Sequence, residues 1–172
     1  MPYGWTKTSG TWTKKLPLFA IAFLLAACGQ AMDKTNAQTV SEQNLQKGQA
    51  FLADTAKVPG VVVLPSGVMY KTVSKSPTPG AQPTVADKVT INYEGKLLDG
   101  SIFDSSYARN EPANFPLNRL ISAWQQVIPL MHVGDEIVLY TPPTSAYGER
   151  DLGEIPPNST LIFRVQLLGI NQ

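Results

Sequence analysis

Few side chains in this sequence could carry acid–base, nucleophilic or metal chemistry. His132 is the only histidine and Cys28 the only cysteine, which excludes a histidine-rich metal site and an intrachain disulfide. A Ser-His-Asp arrangement would have to use His132, which we expect to lie on the surface. Asp135 and Glu136 are better explained by a turn leading into a strand than by a metal site. The sequence therefore predicts neither a metal nor a cofactor.

A different chemistry is indicated by an aspartate among aromatic residues. Asp104 directly follows Phe103, and a carboxylate beside apolar groups needs a partner. That partner could belong to a functional site, or it could be a local hydrogen bond to the neighbouring serines, Ser105 and Ser106. Tyr147 precedes a glycine in a loop, where such a pair is most often only a turn. These residues alone leave both interpretations open.

Strands account for most of the elements that would position these residues. Val89, Ile91 and Tyr93 alternate with polar residues, which is typical of a strand with one buried face. The pair Asp99-Gly100 predicts a hairpin between that strand and the next. Further strands are predicted at 61–64, 68–73, 101–103, 136–141 and 160–168.

One apolar segment of the folded part has helical spacing. Residues 120–130 place Ile121, Trp124, Val127 and Ile128 on one face, and a proline at position 129 disturbs the end. A single helix against antiparallel strands predicts an α+β fold.

The N-terminus predicts a lipoprotein signal peptide over residues 1–27. Two lysines, Lys14 and Lys15, precede an uncharged run of only twelve residues. Such a helix rises about 18 Å, too little for a hydrocarbon core of about 30 Å. The run ends Leu-Ala-Ala-Cys28, which resembles the lipobox of bacterial lipoprotein precursors, so Cys28 is expected to be acylated. A leftover thiol in an ordinary signal peptide is the alternative.

Residues 28–40 are small and polar and predict a flexible tether. Residues 41–58 predict a short spacer helix with Ser41 as its N-cap, and packing on the domain is favoured over dimerisation. Without residues 1–27, eleven basic and thirteen acidic side chains remain, a formal charge of −2. That balance does not favour nucleic-acid binding.

Three segments, taken in order, resemble the FKBP-type peptidyl-prolyl cis-trans isomerases. They are VTINYEGKLLDGSIFDSS at 89–106, LISAW at 120–124 followed by MHVG at 131–134, and AYG at 146–148 followed by IPPNSTLIF at 155–163. Any one of them alone would be a weak signal. The similarity runs from about residue 60 to the C-terminus and is closest to the bacterial macrophage infectivity potentiator branch.

The resemblance implies that residues 60–172 form a twisted antiparallel sheet wrapped around one short helix, with the active pocket between them. It implies catalytic roles for Tyr93, Asp104 and Tyr147, with Trp124 as the floor under a prolyl ring. Arg109 stands where some members place an arginine that pairs with the pocket aspartate. The other implied substrate-binding residues are Phe103, Phe115, Leu120, Ile121, Ile155 and Phe163.

Such a pocket would accelerate rotation about Xaa-Pro bonds without a nucleophile, a metal or a cofactor. Amide resonance makes the planar bond polar and sets a rotation barrier of about 18–20 kcal/mol. Since the twisted amide is less polar, an apolar pocket disfavours the planar form relative to the twisted one. Each difference of about 1.4 kcal/mol corresponds to about tenfold in rate.

The expected partners are proline-containing unfolded or folding polypeptides, and macrolides such as FK506 or rapamycin. Ala113, Ala123 and Ser145 depart from the small eukaryotic members, which bears on pocket width and macrolide affinity. The alternatives are a non-catalytic chaperone or binding module for proline-containing segments, and a purely structural envelope lipoprotein.

The expected location is the cell envelope, lipid-anchored at the outer membrane and facing the periplasm. Gly29 supports that membrane, because an aspartate after the acylated cysteine commonly signals inner-membrane retention. Only about thirty residues separate Cys28 from Gly60, where the infectivity potentiator branch usually has a long dimerisation region. We therefore expect a monomer.

Overall fold

The computed structural model describes residues 26–171, with their side chains from residue 39 onward. Residues 1–25 of the predicted signal peptide lie outside the described residues. The side chain of Cys28 is not described either. The chain divides into two compact units, Met1–Thr35 and Asn36–Gln172. The whole sheet and the shorter helices belong to the second unit.

The first helix, α1, spans Ala26–Thr55. The predictions of a flexible tether at 28–40 and of an N-cap at Ser41 are therefore wrong. The reason lies in the composition, because alanine, glutamine and other helix-compatible residues fill this stretch and no proline interrupts it before Pro59. The helix has no strong apolar face, which is why its first turns were not evident from periodicity.

The C-terminal part of α1 packs on the domain, as predicted. A Cβ atom on Gly48 would stand 2.2 Å from the Thr160 hydroxyl oxygen, so only glycine allows this approach. One turn further on, the Phe51 ring lies 6.0 Å from that of Tyr140. Gly48 is thus a requirement of the packing, although it lowers intrinsic helix propensity.

A seven-stranded antiparallel sheet forms the body of the second unit, in the spatial order β1-β2-β6-β7-β3-β4, with β5 also paired to β3. Its strands are β1 Val61–Val63, β2 Met69–Ser74, β3 Lys88–Lys96, β4 Ile102–Ser105, β5 Ala113–Pro116, β6 Glu136–Thr141 and β7 Leu161–Asn171. The predicted strands and the Asp99-Gly100 hairpin are confirmed. Gly100 takes a φ of 91° at the hairpin tip, where glycine is favoured.

Strand β3 carries two partners along one edge, and this arrangement opens space beside it. Its C-terminal half pairs with β4, and its N-terminal half pairs with β5. Between those partners the chain leaves the sheet through a short helix, α2, which spans Ser106–Arg109. Both β5 and α2 are only four residues long and were not predicted from periodicity.

The helix expected at 120–130 is shorter than predicted. Its α-helical part, α3, spans Ser122–Val127, and a 3₁₀ turn covers Ile128–Leu130. Pro129 lacks an N–H, which explains the change of helix type. The inner face of α3 is buried against the sheet through Trp124 and Val127, giving the predicted α+β arrangement. Among the described residues no helix is long and apolar enough to cross a membrane.

Candidate active site

A cleft of about 110 Å³ opens between α3 and the sheet where β4 and β5 diverge. It draws residues from β3, β4, β5, β7, α3 and the loop after β6. All of its lining residues were predicted from the sequence, and they are Tyr93, Phe103, Asp104, Phe115, Leu120, Ile121, Trp124, Tyr147 and Phe163.

Aromatic rings in edge contact form the apolar side of the cleft. Trp124 is only 4% exposed and lies edge-on to Phe163, with ring centroids 5.2 Å apart and an interplanar angle of 86°. Phe163 meets Phe103 at 5.7 Å, and Trp124 meets Tyr93 at 5.4 Å, again edge-on. Such contacts are favourable for aromatic quadrupoles and fix the orientation of each ring. Trp124 therefore forms a rigid floor and does not fill the opening.

Gly95 on β3 is a site residue that the sequence analysis did not assign. A Cβ atom there would stand 2.6 Å from the Phe103 ring and 2.8 Å from the Phe163 ring. Both rings lie directly over the backbone at this point of the strand. A glycine in the middle of a strand is the signal that could have revealed this close approach.

The polar side of the cleft is a closed triad of side chains. Asp104 accepts a hydrogen bond from the Tyr93 hydroxyl through one carboxylate oxygen, and pairs with Arg109 through the other, with N and O 2.5 Å apart. Arg109 also donates to the Tyr93 hydroxyl at 3.0 Å. The predicted pairing of arginine with the pocket aspartate is thus present.

Helix α2 turns the chain so that Arg109 reaches Asp104, which precedes it by five residues. Ser105 caps this helix by accepting from the Ala108 N–H at 3.2 Å, and Ser106 accepts from the Tyr93 N–H at 2.8 Å. Both serine hydroxyls are therefore engaged elsewhere. Neither hydroxyl bonds to the Asp104 carboxylate, so of the local alternative only the Ser105 backbone remains, whose hydrogen bond helps to lower the pKa of Asp104.

The triad keeps Asp104 ionised and Tyr93 protonated. Burial alone raises the pKa of Asp104, but the hydrogen bonds from Tyr93 and Arg109 outweigh it and hold the pKa below its ordinary value. For Tyr93, burial and the Asp104 carboxylate both raise the pKa, against a smaller opposing effect of Arg109. Neither group changes protonation near neutral pH.

Two donors at the cleft are free to meet a ligand. Tyr147 lies in the loop after β6, and no described residue accepts from its hydroxyl. Ile121 precedes α3, and its backbone N–H likewise has no acceptor among the described residues. Burial raises the pKa of Tyr147, and the Asp104 charge adds to this effect, so the hydroxyl remains a donor.

Arg150 supports Tyr147 and was not predicted. Its guanidinium stands 5.6 Å from the centroid of the Tyr147 ring, and its Nε donates to the Tyr147 carbonyl at 3.1 Å. A sequence offers no signal for such stacking, because it depends on how the loop folds back.

Two residues predicted to bind substrate, Ile155 and Arg109, are absent from the lining of the cleft. Ile155 is not among the residues that line the cleft, and with 8% of its surface exposed it belongs to the core cluster. Arg109 bonds to Asp104 and Tyr93, and it is not among the residues that line the cavity. His132 is partly exposed, and its backbone N–H donates to Asp135 at 2.9 Å in the turn before β6.

Comparison with known families places this geometry in context. The model of the FKBP-type peptidyl-prolyl cis-trans isomerase family matches residues 80–168, just over half of the chain. A second model, described as the domain amino terminal to FKBP-type peptidyl-prolyl isomerase, matches residues 13–72. That range includes α1, where a tether and a spacer were expected.

Individual relatives agree with the family models. The peptidyl-prolyl cis-trans isomerase Mip of Coxiella burnetii is 43% identical over 75% of this chain and 56% of its own length. The outer membrane protein MIP of Legionella longbeachae is 40% identical over 77% of this chain and 56% of its own. The crystal structure of FkpA from Escherichia coli superimposes with a TM-score of 0.78 at 32% identity, covering 89% of this chain and 74% of that one. The chain thus spans little more than half the length of these Mip relatives.

Proposed function

This chain belongs to the FKBP-type peptidyl-prolyl cis-trans isomerases, in the Mip-like branch, and we propose that it accelerates rotation about Xaa-Pro bonds of folding polypeptides. The observation that supports this most directly is the open, aromatic cleft with two unoccupied hydrogen-bond donors at its edge. The cleft offers an apolar site that can accommodate a prolyl ring, and its donors can hold one carbonyl oxygen by a hydrogen bond.

Catalysis in this proposal comes from unequal binding of the planar and twisted amides. The prolyl ring packs on Trp124, with Phe103 and Phe163 as walls, so the imide bond lies in apolar surroundings. There the polar planar amide loses more solvation than the twisted amide does, which lowers the barrier. No atom of the protein forms a covalent bond with the substrate, and no proton is transferred.

The polar groups divide the remaining work. The Tyr147 hydroxyl and the Ile121 N–H donate to substrate carbonyl oxygens and set the direction in which the chain enters. Asp104 has both oxygens engaged by Tyr93 and Arg109. We therefore assign Asp104 mainly to holding Tyr93 in place, while its charge also acts on the cleft that it lines.

A protease-coupled assay on Xaa-Pro peptides, with and without rapamycin, tests the activity. We expect isomerisation well above the uncatalysed relaxation, which takes about 10–100 s at 25 °C, and inhibition by a macrolide that occupies the cleft. Background rates, together with intact holding of an unfolded protein, would instead favour the non-catalytic binding module.

The location and the assembly are part of the same proposal. The relative named as an outer membrane protein, together with the lipobox-like Leu-Ala-Ala-Cys28, supports a lipid anchor at Cys28 in the cell envelope, on the periplasmic face of the outer membrane. We propose a monomer. Labelling of the expressed protein with a fatty-acid analogue, lost on Cys28→Ser, tests the anchor, and a dimeric mass by light scattering would contradict the monomer.

A further inference from the structure

The loop between Ile155 and β7 lies between helix α1 and the turn that carries Tyr147. Asn158 is at its centre and has a φ of 55°, a left-handed conformation that asparagine tolerates better than most residues. Its backbone N–H donates to the Gly148 carbonyl at 2.8 Å, immediately after Tyr147. Its side-chain amide donates to the Ser41 hydroxyl on α1 at 2.8 Å.

Other contacts hold the same loop against α1. The Asn44 side chain donates to the Pro157 carbonyl at 2.9 Å, and Gly48 lies against Thr160 without room for a Cβ atom. Ser41, Asn44 and Gly48 recur every three or four residues, so they share one face of the helix. Neighbouring turns of α1 therefore contact three residues of the same loop, Asn158, Pro157 and Thr160.

The Tyr147 turn packs on the core through Ala146 and Tyr147, and Arg150 stacks on the Tyr147 ring. Its internal backbone bonds run from Ala146 and Gly148 to the Pro143 carbonyl. Among the described residues, the Asn158–Gly148 bond is the backbone hydrogen bond that ties the stretch 143–150 to a more distant part of the chain. The Asn158–Gly148 bond therefore adds to the packing of the turn, so the position of the Tyr147 hydroxyl depends in part on where Asn158 is held.

We infer that Asn158 is a positioning residue that lets helix α1 fix Tyr147 at the cleft, so that α1 contributes to turnover although none of its residues lines the cleft. The inference rests on the proposed isomerase function. Small displacements of a donor reduce its contribution in the transition state, because the donor must meet the carbonyl oxygen at hydrogen-bond distance.

Ser41→Ala and Asn158→Gly test the link from its two ends. Glycine keeps the left-handed φ at 158 without strain, so this variant removes only the amide bond to α1. Each change is expected to lower kcat/KM about three- to tenfold, and the double variant no further than either alone. Ser159→Ala is the matched control, because its hydroxyl bonds only within the loop, to the Pro156 carbonyl at 2.7 Å; it should leave kcat/KM unchanged.

The role of Tyr147 in the link is tested by repeating Ser41→Ala in the Tyr147→Phe background, where no further loss of kcat/KM is expected. An equal loss in both backgrounds would overturn the inference, since α1 would then act on the domain as a whole. Wild-type kcat/KM in the Ser41→Ala variant would overturn it as well.

Amide hydrogen exchange tests the link between α1 and the Tyr147 turn without an activity measurement. In Ser41→Ala the Asn158 and Gly148 amides should exchange faster, while amides of β3 keep their wild-type protection. Unchanged exchange at both positions would overturn the inference. If these amides exchange faster in Ser41→Ala but the wild-type protein has no isomerase activity, the proposed function fails, while the structural link between α1 and the Tyr147 turn stands.

Discussion

On one side of the cleft, Phe103, Trp124 and Phe163 are held by ring packing and deep burial. On the other side, Tyr93 is held by an ion pair that is partly exposed, with 40% of the Asp104 side chain open to solvent. Ring packing resists distortion through many small contacts, whereas the triad depends on a few directional bonds. The two sides should therefore respond differently to substitution, the first mainly in stability and the second mainly in turnover.

The largest effect is expected on the packed side. Phe163→Ala should lower the free energy of unfolding by about 3–5 kcal/mol, because it empties a site that the Phe103 and Trp124 rings and strand β3 define. Tyr93→Phe, which keeps the ring and removes one hydrogen bond, should cost only about 1 kcal/mol. Urea unfolding of both variants measures the contrast, and similar losses would remove the distinction between the two sides.

Asp104→Leu should show the opposite balance. We expect kcat/KM to fall about tenfold, because Tyr93 and Arg109 lose their common anchor. The free energy of unfolding should change by about 1 kcal/mol or less, since a carboxylate this exposed contributes little as an ion pair. Asp54→Asn is the matched control, because that carboxylate is paired with Lys57 on an exposed face of α1. A loss of stability larger than the loss of turnover would show that Asp104 is mainly structural.

Tyr147→Phe isolates a hydroxyl that no described residue uses. Removing it should lower kcat/KM about fivefold and change the unfolding free energy by less than about 0.5 kcal/mol. Tyr140→Phe offers a control on β6, where the ring packs on Phe51 outside the cleft. Full turnover in Tyr147→Phe would leave the Ile121 N–H as the remaining donor and refute our assignment.

The smallest effect concerns acid stability. The folded pKa of Asp104 is depressed, so its contribution is present above the unfolded pKa of about 3.9 and is lost as the pH falls through the folded value. Wild type should therefore lose more stability on acidification than Asp104→Leu does. Because the group is exposed, the difference should be about 1 kcal/mol or less in urea titrations at several pH values. A larger acid loss in the variant would reverse the sign that the triad requires.

The aromatic lining could be predicted because it follows motifs in a fixed order. Strands such as β3 could also be predicted, because apolar and polar residues alternate along them. The contacts between α1 and the loop at Asn158 could not be predicted in this way. They depend on two segments meeting in space, and Asn44 and Pro157, for example, are 113 positions apart. Periodicity and local motifs carry no information about such pairings.

Ile155 and Arg150 show that the direction of a single side chain is also hard to predict from motifs. Ile155 stands in a motif position expected at the pocket, yet it is buried in the core and is not among the residues that line the cleft. Arg150 was not predicted to belong to the site, yet its guanidinium stacks on the Tyr147 ring. Motif order predicts which segments meet, and backbone geometry decides which way each side chain points.

The pH dependence of kcat/KM tests most directly whether the cleft works by non-covalent stabilisation of a twisted amide. Asp104 has a lowered pKa, and Tyr93 and Tyr147 have raised ones, so none of them titrates between about pH 6 and pH 9. The account predicts a flat profile across that range, measured on one Xaa-Pro peptide by exchange NMR without a coupling protease. An inflection within it would report an essential acid or base and would contradict the account.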